Sequence, residues 1–425
     1  MDVLTSNRRE FLKEMGIIAG SATLLAAVPW VKAFAQENGR TIAPSDRVRV
    51  GVVGVGDRGR ALLLNLQEIE NVEVSAVCDD YEPNYQRAIE LTSGKAKAFY
   101  DYREMLGMKD LDAVVVATPL HLHTHIVIDF LRAGVHVLCE KSMARTLEDC
   151  NLMADAHFET GKILQIGHQR LFNPVYLNAL ERVKAGEIGE VLQVRAFWHR
   201  NANWRRNVPS PELERKINWR LYSEYSGGLM TELASHQIQV ANWFIDKVPV
   251  RVMGSGSICY WKDGREVYDQ VALVYSYDNG AKCLYDSFIS NKHYGLEEQI
   301  QGDKGTIEPE INRIYSENPP KAPGIRQLIH SVEKGIFETI PIGGATWIPE
   351  TAVPYRGNII TPYDNNDTLL QMIGFIKAVR NGKPYPGLLR EGYHASIAAL
   401  LGLQAMDNNE IVIWPEEYKM EKDKG

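Results

Sequence analysis

Residues 47–59 read Arg-Val-Arg-Val-Gly-Val-Val-Gly-Val-Gly-Asp-Arg-Gly. The apolar run Val48 to Val53 predicts a strand, and Ala61, Leu62, Leu64 and Leu66 continue it as an apolar helical pattern. Between the two stands Gly54-x-Gly56-x-x-Gly59. In a strand–turn–helix setting Gly54 allows the tight turn, Gly56 lets backbone approach a pyrophosphate, and Gly59 lets helix and strand pack closely. The free N–H groups of the helix start, with Asp57 and Arg58 in its first turn, then face the phosphates. The alternation Val72-Glu-Val-Ser-Ala-Val77 predicts a second strand that ends at Asp79. That position is close to the offset of about 20 residues expected for the acid that binds an adenosine ribose 2′-hydroxyl.

The pattern continues outward. Helix is predicted over Tyr85 to Leu91, a short strand over Lys97 to Tyr100, and a buried parallel strand over the fully apolar Ala113 to Ala117. Thr118-Pro119 stops that strand. A helix through Phe130 is closed by Gly134, and the strand Val135 to Cys139 runs into Glu140-Lys141. Thr146 and Asp149 resemble a capping box for a helix ending at Gly161, and Ile163 to Ile166 forms the last strand. Alternating strands and helices across residues 46–167 predict a doubly wound parallel sheet of the Rossmann type, with ligands beyond the carboxyl ends of its strands. Asp79, Thr118, His121, His123, Glu140, Lys141, His168 and Gln169 collect at that edge. A lysine directly after a five-residue buried strand is badly placed for a merely solvated charge. The period-two spacing of His121, His123 and His125 scatters them over different faces, so no metal site is expected.

Residues 1–35 are read as a leader. Asn7-Arg8-Arg9-Glu10-Phe11-Leu12-Lys13 is a twin-arginine pattern, an apolar stretch from Met15 to Val28 follows, and Ala33-Phe34-Ala35 supplies a small-x-small cleavage site. The stretch is short for a membrane span and rich in Gly, Ala and Ser. The expectation is periplasmic export by the twin-arginine route, with no membrane anchor after removal. The chain of 425 residues carries a net charge of −7 without a basic run, which argues against nucleic acid as a partner. Its five cysteines form no CxxC and no zinc spacing.

From residue 168 to 418 the pattern becomes that of an α+β domain with an open, mainly antiparallel sheet. A helix through Lys184 precedes a strand from Val191 to Trp198, and Val271–Tyr277 and Ala281–Phe288 flank the hairpin turn Asp278-Asn279-Gly280. A further strand pair is expected around Gly302-Asp303-Lys304-Gly305, a long Pro- and Gly-rich loop over 311–365, and helices over Asp367 to Arg380 and Gly392 to Ala405. An open sheet needs a cover, so a homo-oligomer is expected. In Gly227-Gly228-Leu-Met-Thr-Glu232-Leu-Ala-Ser-His236 the last two polar residues stand four apart on one helix face, where a carboxylate can orient an imidazole for base chemistry. The double glycine suggests close backbone approach to a ligand.

Together, the glycine fingerprint, Ala117-Thr118-Pro119 with His123, Cys139-Glu140-Lys141, Gly167-His168-Gln169-Arg170, Gly227-Gly228 with Glu232 and His236, and Gly302-Asp303-Lys304-Gly305 resemble the Gfo/Idh/MocA family of NAD(P)-dependent sugar and cyclitol oxidoreductases. The resemblance implies that Lys141, His236 and Glu232 are catalytic. His236 would take the proton of a sugar hydroxyl, Lys141 would steady the same oxygen, and Glu232 would orient the histidine. It implies a cofactor shell of Gly54, Gly56, Asp57, Arg58, Gly59, Asp79, Thr118, Pro119, His123, Glu140, Lys141 and Gln169. Lys141 and His236 would also touch the substrate, and Arg170, Trp204, Trp219 and Arg220 are candidate substrate contacts because aromatic faces and forked donors suit sugars. Ser142, Leu120 and Glu232 replace the family's usual proline, asparagine and aspartate.

Asp79-Asp80 favours NAD over NADP, because a 2′-phosphate would be repelled there. An exported member has no free nicotinamide pool to draw on. The expectation is therefore a tightly held NAD, restored in each cycle, and oxidation of a ring hydroxyl of a sugar or glycoside at C3. Two rivals accompany it: an NAD-dependent glycosidase, whose Tyr-x-Thr-His-Gly motif is replaced here by Thr-Glu-Leu-Ala-Ser-His, and a non-catalytic binding protein on the same fold.

Overall fold

The computed structural model describes residues 47–318, 357–362 and 366–420. The leader at residues 1–35 and most of the 311–365 segment lie outside the described residues. No helix among the described residues is long and apolar enough to cross a membrane.

Six short strands, β1 (Val48–Val53), β2 (Val72–Cys78), β3 (Lys97–Phe99), β4 (Ala113–Val116), β5 (His136–Cys139) and β6 (Leu164–Ile166), form the first sheet. All pairs are parallel, in the order β3-β2-β1-β4-β5-β6. Both faces of β4 are buried because helices cover them, which is why its sequence is a continuous valine run rather than an alternation. The helices are α1 (Asp57–Gln67), α2 (Glu82–Leu91), α3 (His123–Arg132) and α4 (Leu147–Thr160). The expected cap of α4 forms, with the Thr146 hydroxyl accepting from Asp149 N at 3.1 Å. The order reverses between β1 and β4, and the crevice of a doubly wound sheet opens there.

The second sheet has nine strands. Those after helix α5 (Pro174–Lys184) are β7 (Val191–His199), β8 (Arg251–Ser257), β9 (Gln270–Ser276), β10 (Lys282–Phe288), β11 (Leu296–Gly302), β12 (Gly305–Glu308), β13 (Arg313–Ser316), β14 (Asn358–Ile359) and β15 (Val412–Ile413). Their order is β14-β13-β12-β11-β7-β10-β9-β8-β15. Every pair is antiparallel except β7 with β10 at the centre. A parallel neighbour needs a crossover, and here it is long. Everything from residue 200 to 281 is threaded between those two adjacent strands. Helices α6 (Ser235–Ile245) and α8 (Leu388–Asn408) pack on one face of this sheet, while α7 (Asp367–Asn381) lies against α1 and the turn after β6. The other face leaves Val274 and Leu284 half-buried and Met253 exposed. The segment expected to be a bare loop contributes the paired strands β13 and β14 at its two ends.

Candidate functional site

The glycine turn between β1 and α1 has the shape its sequence requires. Gly54 has φ +83, and a Cβ there would meet Thr118 N at 2.6 Å. A Cβ on Gly59 would stand 1.9 Å from Gly54 O, so only glycine lets α1 start this close to its strand. Around Gly56 the nearest atom to a Cβ would be Asn84 Nδ2 at 4.0 Å. The space a side chain would fill is open, and it is where a pyrophosphate would rest on the N-terminus of α1.

A cleft of about 910 Å3 runs from this turn along the carboxyl edge of the sheet. Asp79 sits at the end of β2, where its carboxylate accepts from Val55 N and Tyr81 N, each at 2.9 Å, and from Asn84 Nδ2. Burial nevertheless raises its pKa above the ordinary value, against those hydrogen bonds. Thr118 and Pro119 line the cleft, and among the described residues the buried Thr118 hydroxyl has no hydrogen-bond partner, nor has Gln169 Oε1. Buried polar atoms are normally satisfied, so these orphans fit a missing ligand. The open cradle at Gly56, the acid at Asp79 and these orphans together fit an NAD. Gly54, Gly56 and the start of α1 would hold its pyrophosphate, Asp79 its adenosine ribose, and Thr118 its nicotinamide half.

His123 does not face the cleft. It is 2 % exposed, with Nε2 3.0 Å from Thr118 O and Nδ1 3.1 Å from Ser142 O. It ties the ends of β4 and β5 together and shapes the cofactor edge from behind. His121 turns instead to the Tyr225 ring and His125 to Tyr102. Arg58 Nε holds Glu140 Oε1 at 2.7 Å, and Glu140 in turn accepts from Lys141 N.

Lys141 emerges at the end of β5 and crosses to the second domain. Its Nζ donates to Glu232 O at 2.9 Å and Thr231 O at 3.4 Å, while the Ser142 hydroxyl donates to Thr231 O at 3.0 Å. These carbonyls belong to a π-helical turn, Met230–Ala234, that opens into α6 and presents His236. Burial lowers the Lys141 pKa, with Glu232 and Glu140 opposing. Burial also pushes His236 well below its ordinary value, helped by the cations of Lys141 and Arg170. The imidazole is therefore neutral and able to accept a proton.

Four expectations are corrected. The Glu232 carboxylate is not bonded to His236; it is gripped by Arg220 Nε at 2.9 Å, with Ser226 Oγ at 3.4 Å. Burial would raise Glu232, but Arg220 and Lys141 outweigh it and hold the carboxyl below its usual range. Arg170 is not a free substrate contact. It is 5 % exposed and sits 2.8 Å from both Glu298 and Glu310, and the Tyr176 hydroxyl lies 2.6 Å from each of those two carboxyl groups, donating its single proton to one of them. Gly227 and Gly228 are packed against Thr231 and Val267, so the close approach they permit is to protein. Of the proposed aromatic and forked contacts, Trp219 and Arg220 line the cleft, the guanidinium lying 4.2 Å over the indole. Trp204 is packed against the core and does not line it.

From the segment 200–225 sequence reasoning took Trp204, Trp219 and Arg220 and missed Arg206 and Lys216. Arg206 Nη2 reaches Asp57 Oδ2 at 2.7 Å, at the phosphate end of the cleft, and Lys216 Nζ reaches Asp80 Oδ2 at 2.9 Å, at the ribose end. Asn218 joins the two limbs, accepting from Arg206 N and donating to Arg206 O. The second domain thus straps the cofactor cleft at both ends. The doublets Arg205-Arg206 and Arg215-Lys216, unusual in an acidic chain, were the signal.

Comparison with known proteins agrees with this geometry. Residues 48–168 match the oxidoreductase family with NAD-binding Rossmann fold, and residues 176–308 match the GFO/IDH/MocA C-terminal domain. Inositol 2-dehydrogenase of Salmonella typhimurium is 27% identical over 268 residues, 61% of this chain and 73% of the relative. A glycosyl hydrolase family 109 protein of a Shewanella species is 30% identical over 241 residues, 51% of this chain and 50% of the relative. Two solved structures share the fold. Levoglucosan dehydrogenase with NADH and levoglucosan has a TM-score of 0.67 at 19% identity, covering 87% of this chain and 100% of that one. Aldose-aldose oxidoreductase from Caulobacter crescentus has a TM-score of 0.66 at 19% identity, with the same two coverages. With both halves of its fold matched and the cofactor cradle in place, the chain belongs to the Gfo/Idh/MocA family of NAD-dependent oxidoreductases.

Proposed function

We propose that this protein is an exported oxidoreductase that moves hydride between a ring hydroxyl of a sugar or glycoside, at C3 to give a 3-ketosugar, and an NAD that it keeps bound through the cycle. The observation that carries the reading is the meeting of Lys141 Nζ with the turn that presents His236, which brings a cation and a neutral base from two domains to one point. Bound NAD supplies the hydride acceptor. Lys141 donates to the substrate oxygen and steadies the charge that develops there, while His236 takes the hydroxyl proton. Arg220, fixed by Glu232 and stacked on Trp219, offers its remaining N–H groups to the sugar. The sugar-acting names among the relatives, inositol 2-dehydrogenase and levoglucosan dehydrogenase, support the substrate class.

Retention of NAD is supported by the strap, in which Arg206 and Lys216 of the second domain are paired with Asp57 and Asp80 at the two ends of the cleft. Export is supported by the twin-arginine stretch at residues 7–13. The same proposal puts a second copy of the chain on the open face of the long sheet; a single-chain mass by light scattering would remove that part. A second reading, net hydrolysis of a glycoside through oxidation, elimination, hydration and reduction, is favoured by the similarity to a glycosyl hydrolase family 109 protein.

The test is made on protein purified without added nucleotide, then denatured, its released small molecules weighed by mass spectrometry. Near-stoichiometric NAD or NADH supports the reading; an NADP mass, or a protein that is empty and does not take up NAD, overturns it. Methyl glucosides, methyl galactosides and myo-inositol are then screened by proton NMR. A ketosugar supports the dehydrogenase, and a free reducing sugar the glycosidase.

A further inference from the structure

A base that accepts a proton must also place the N–H on its other ring nitrogen. In the expected arrangement Glu232 does this for His236, but Arg220 has taken that carboxylate. The charged groups around His236 are Lys141 at the end of β5, Arg170 in the turn after β6 and Arg58 in the first turn of α1, all cations. On the β7 side stands the Trp198 ring, 5.8 Å away. None of these accepts a hydrogen bond from an imidazolium.

One neighbour can. His168 follows β6 and is 1 % exposed. Its ring stands edge-on to His236, with centroids 5.8 Å apart and planes at 74°. At least one of its ring nitrogens has no hydrogen-bond partner among the described residues. A neutral imidazole always keeps one acceptor nitrogen. His168 is held neutral: burial, Lys141 and Arg170 push its pKa down to about 3.

We propose that His168 is the positioning residue for His236, its free ring nitrogen accepting the N–H that His236 presents once it has taken the substrate proton. This rests on His236 being the base. In the step, the substrate O–H bond breaks and its proton goes to one His236 nitrogen. The C–H electron pair leaves as hydride, oxidising the alcohol to a ketone and reducing NAD. The N–H that His236 already carries on its far nitrogen stays on His168 as the ring becomes an imidazolium. The imidazolium is thereby stabilised in a pocket whose other charges oppose it.

The test compares His168→Phe, which keeps the volume and removes the acceptor, with His168→Gln, which restores an acceptor oxygen. The substrate is methyl β-glucopyranoside, or whichever probe the screen above turns over fastest. The NAD content of each purified variant is measured alongside. For His168→Phe the expectation is a kcat about 10- to 100-fold lower with KM within about threefold. The acid limb of the kcat/KM profile should move to lower pH, because the base has become weaker. His168→Gln should recover at least about tenfold of kcat and the position of the limb. A His168→Phe enzyme with wild-type kcat and pH profile overturns the proposal. So does a His168→Gln enzyme no better than His168→Phe, which would mark a packing role. The underlying reading fails separately, if His236→Ala itself loses less than about tenfold in kcat.

Discussion

Two buried polar clusters lie side by side where the domains meet, and they are built on opposite principles. Around Arg170 the account of charge closes: its guanidinium lies 2.8 Å from two carboxylates, the Tyr176 hydroxyl stands between them, and the pairing raises the arginine pKa against burial, although Arg170 Nη1 and Glu298 Oε1 meet as an ion pair without a well-aligned hydrogen bond. Around Lys141 and His236 it does not close. Among the described residues Thr118, Gln169 and His168 leave polar atoms without hydrogen-bond partners, and Lys141 Nζ donates to backbone carbonyls rather than to a carboxylate. A finished network is architecture, whereas an unfinished one is a place for something else to bind. Residue type alone does not separate them, since each contains a cation, a carboxylate and an aromatic ring.

The comparison can be broken most sharply by removing the cation of each cluster. Lys141→Ala should lower kcat by about 10³-fold or more, with bound NAD and the melting curve little changed. A single-turnover measurement on the NAD-loaded protein reads this directly. Full activity in that variant would empty the mechanism of its central residue. Arg170→Ala should do the reverse. It leaves the fully buried Glu298 without its cation, and unpairing a buried charge costs on the order of 3–5 kcal/mol. Urea unfolding checks this, and an unchanged midpoint would mean the cluster is not structural.

A subtler test sharpens the contrast through pH. Glu297, next to Glu298 on β11, accepts from Glu298 N, Glu310 N and Ile311 N, and burial raises its pKa from 4.5 to about 8. Between those values the folded chain holds a proton that the unfolded chain has already released. Stability contributed below 4.5 is therefore lost as pH rises toward about 8. Glu297→Gln should flatten that decline, by on the order of 1–2 kcal/mol. The readout is unfolding midpoints of both proteins across the interval. Parallel profiles would show that Glu297 does not titrate there. The smallest effect is expected at the strap. Arg206→Ala breaks one half-exposed ion pair, and such pairs contribute about 0–1 kcal/mol. The NAD off-rate should rise no more than about fivefold, measured by chasing bound NADH fluorescence with NAD.

The parallel domain was legible because each of its signals is local. The glycine spacing, the valine run of β4, the Thr146 cap and the acid at Asp79 each lie within one element and its flanks. What escaped was non-local. Nothing near Arg170 announces that Glu298 on β11 and Glu310 after β12 will reach it, so its forked donors read as a substrate contact. The Glu232–His236 pairing followed from helical spacing, and failed because Arg220, brought in by a turn twelve residues upstream, competes for the carboxylate. The strap was invisible to periodicity because it has none. Its shape comes from Asn218 and from partners in the other domain.

The parallel pair at the centre of the long sheet has a further consequence. Strands β7 and β10 are register neighbours, His199 beside Phe288 and Gln193 beside Lys282, yet the chain between them holds the strap, Trp219, Arg220 and the helix start that carries His236. That excursion is an insert whose two ends are pinned in adjacent strands of the sheet's middle. It can therefore be exchanged as a cassette while the framework that fixes its ends stays constant. Because Thr231, Glu232 and His236 lie within that one contiguous stretch, rewriting it would change the partners of Lys141 together with what the fold recognises.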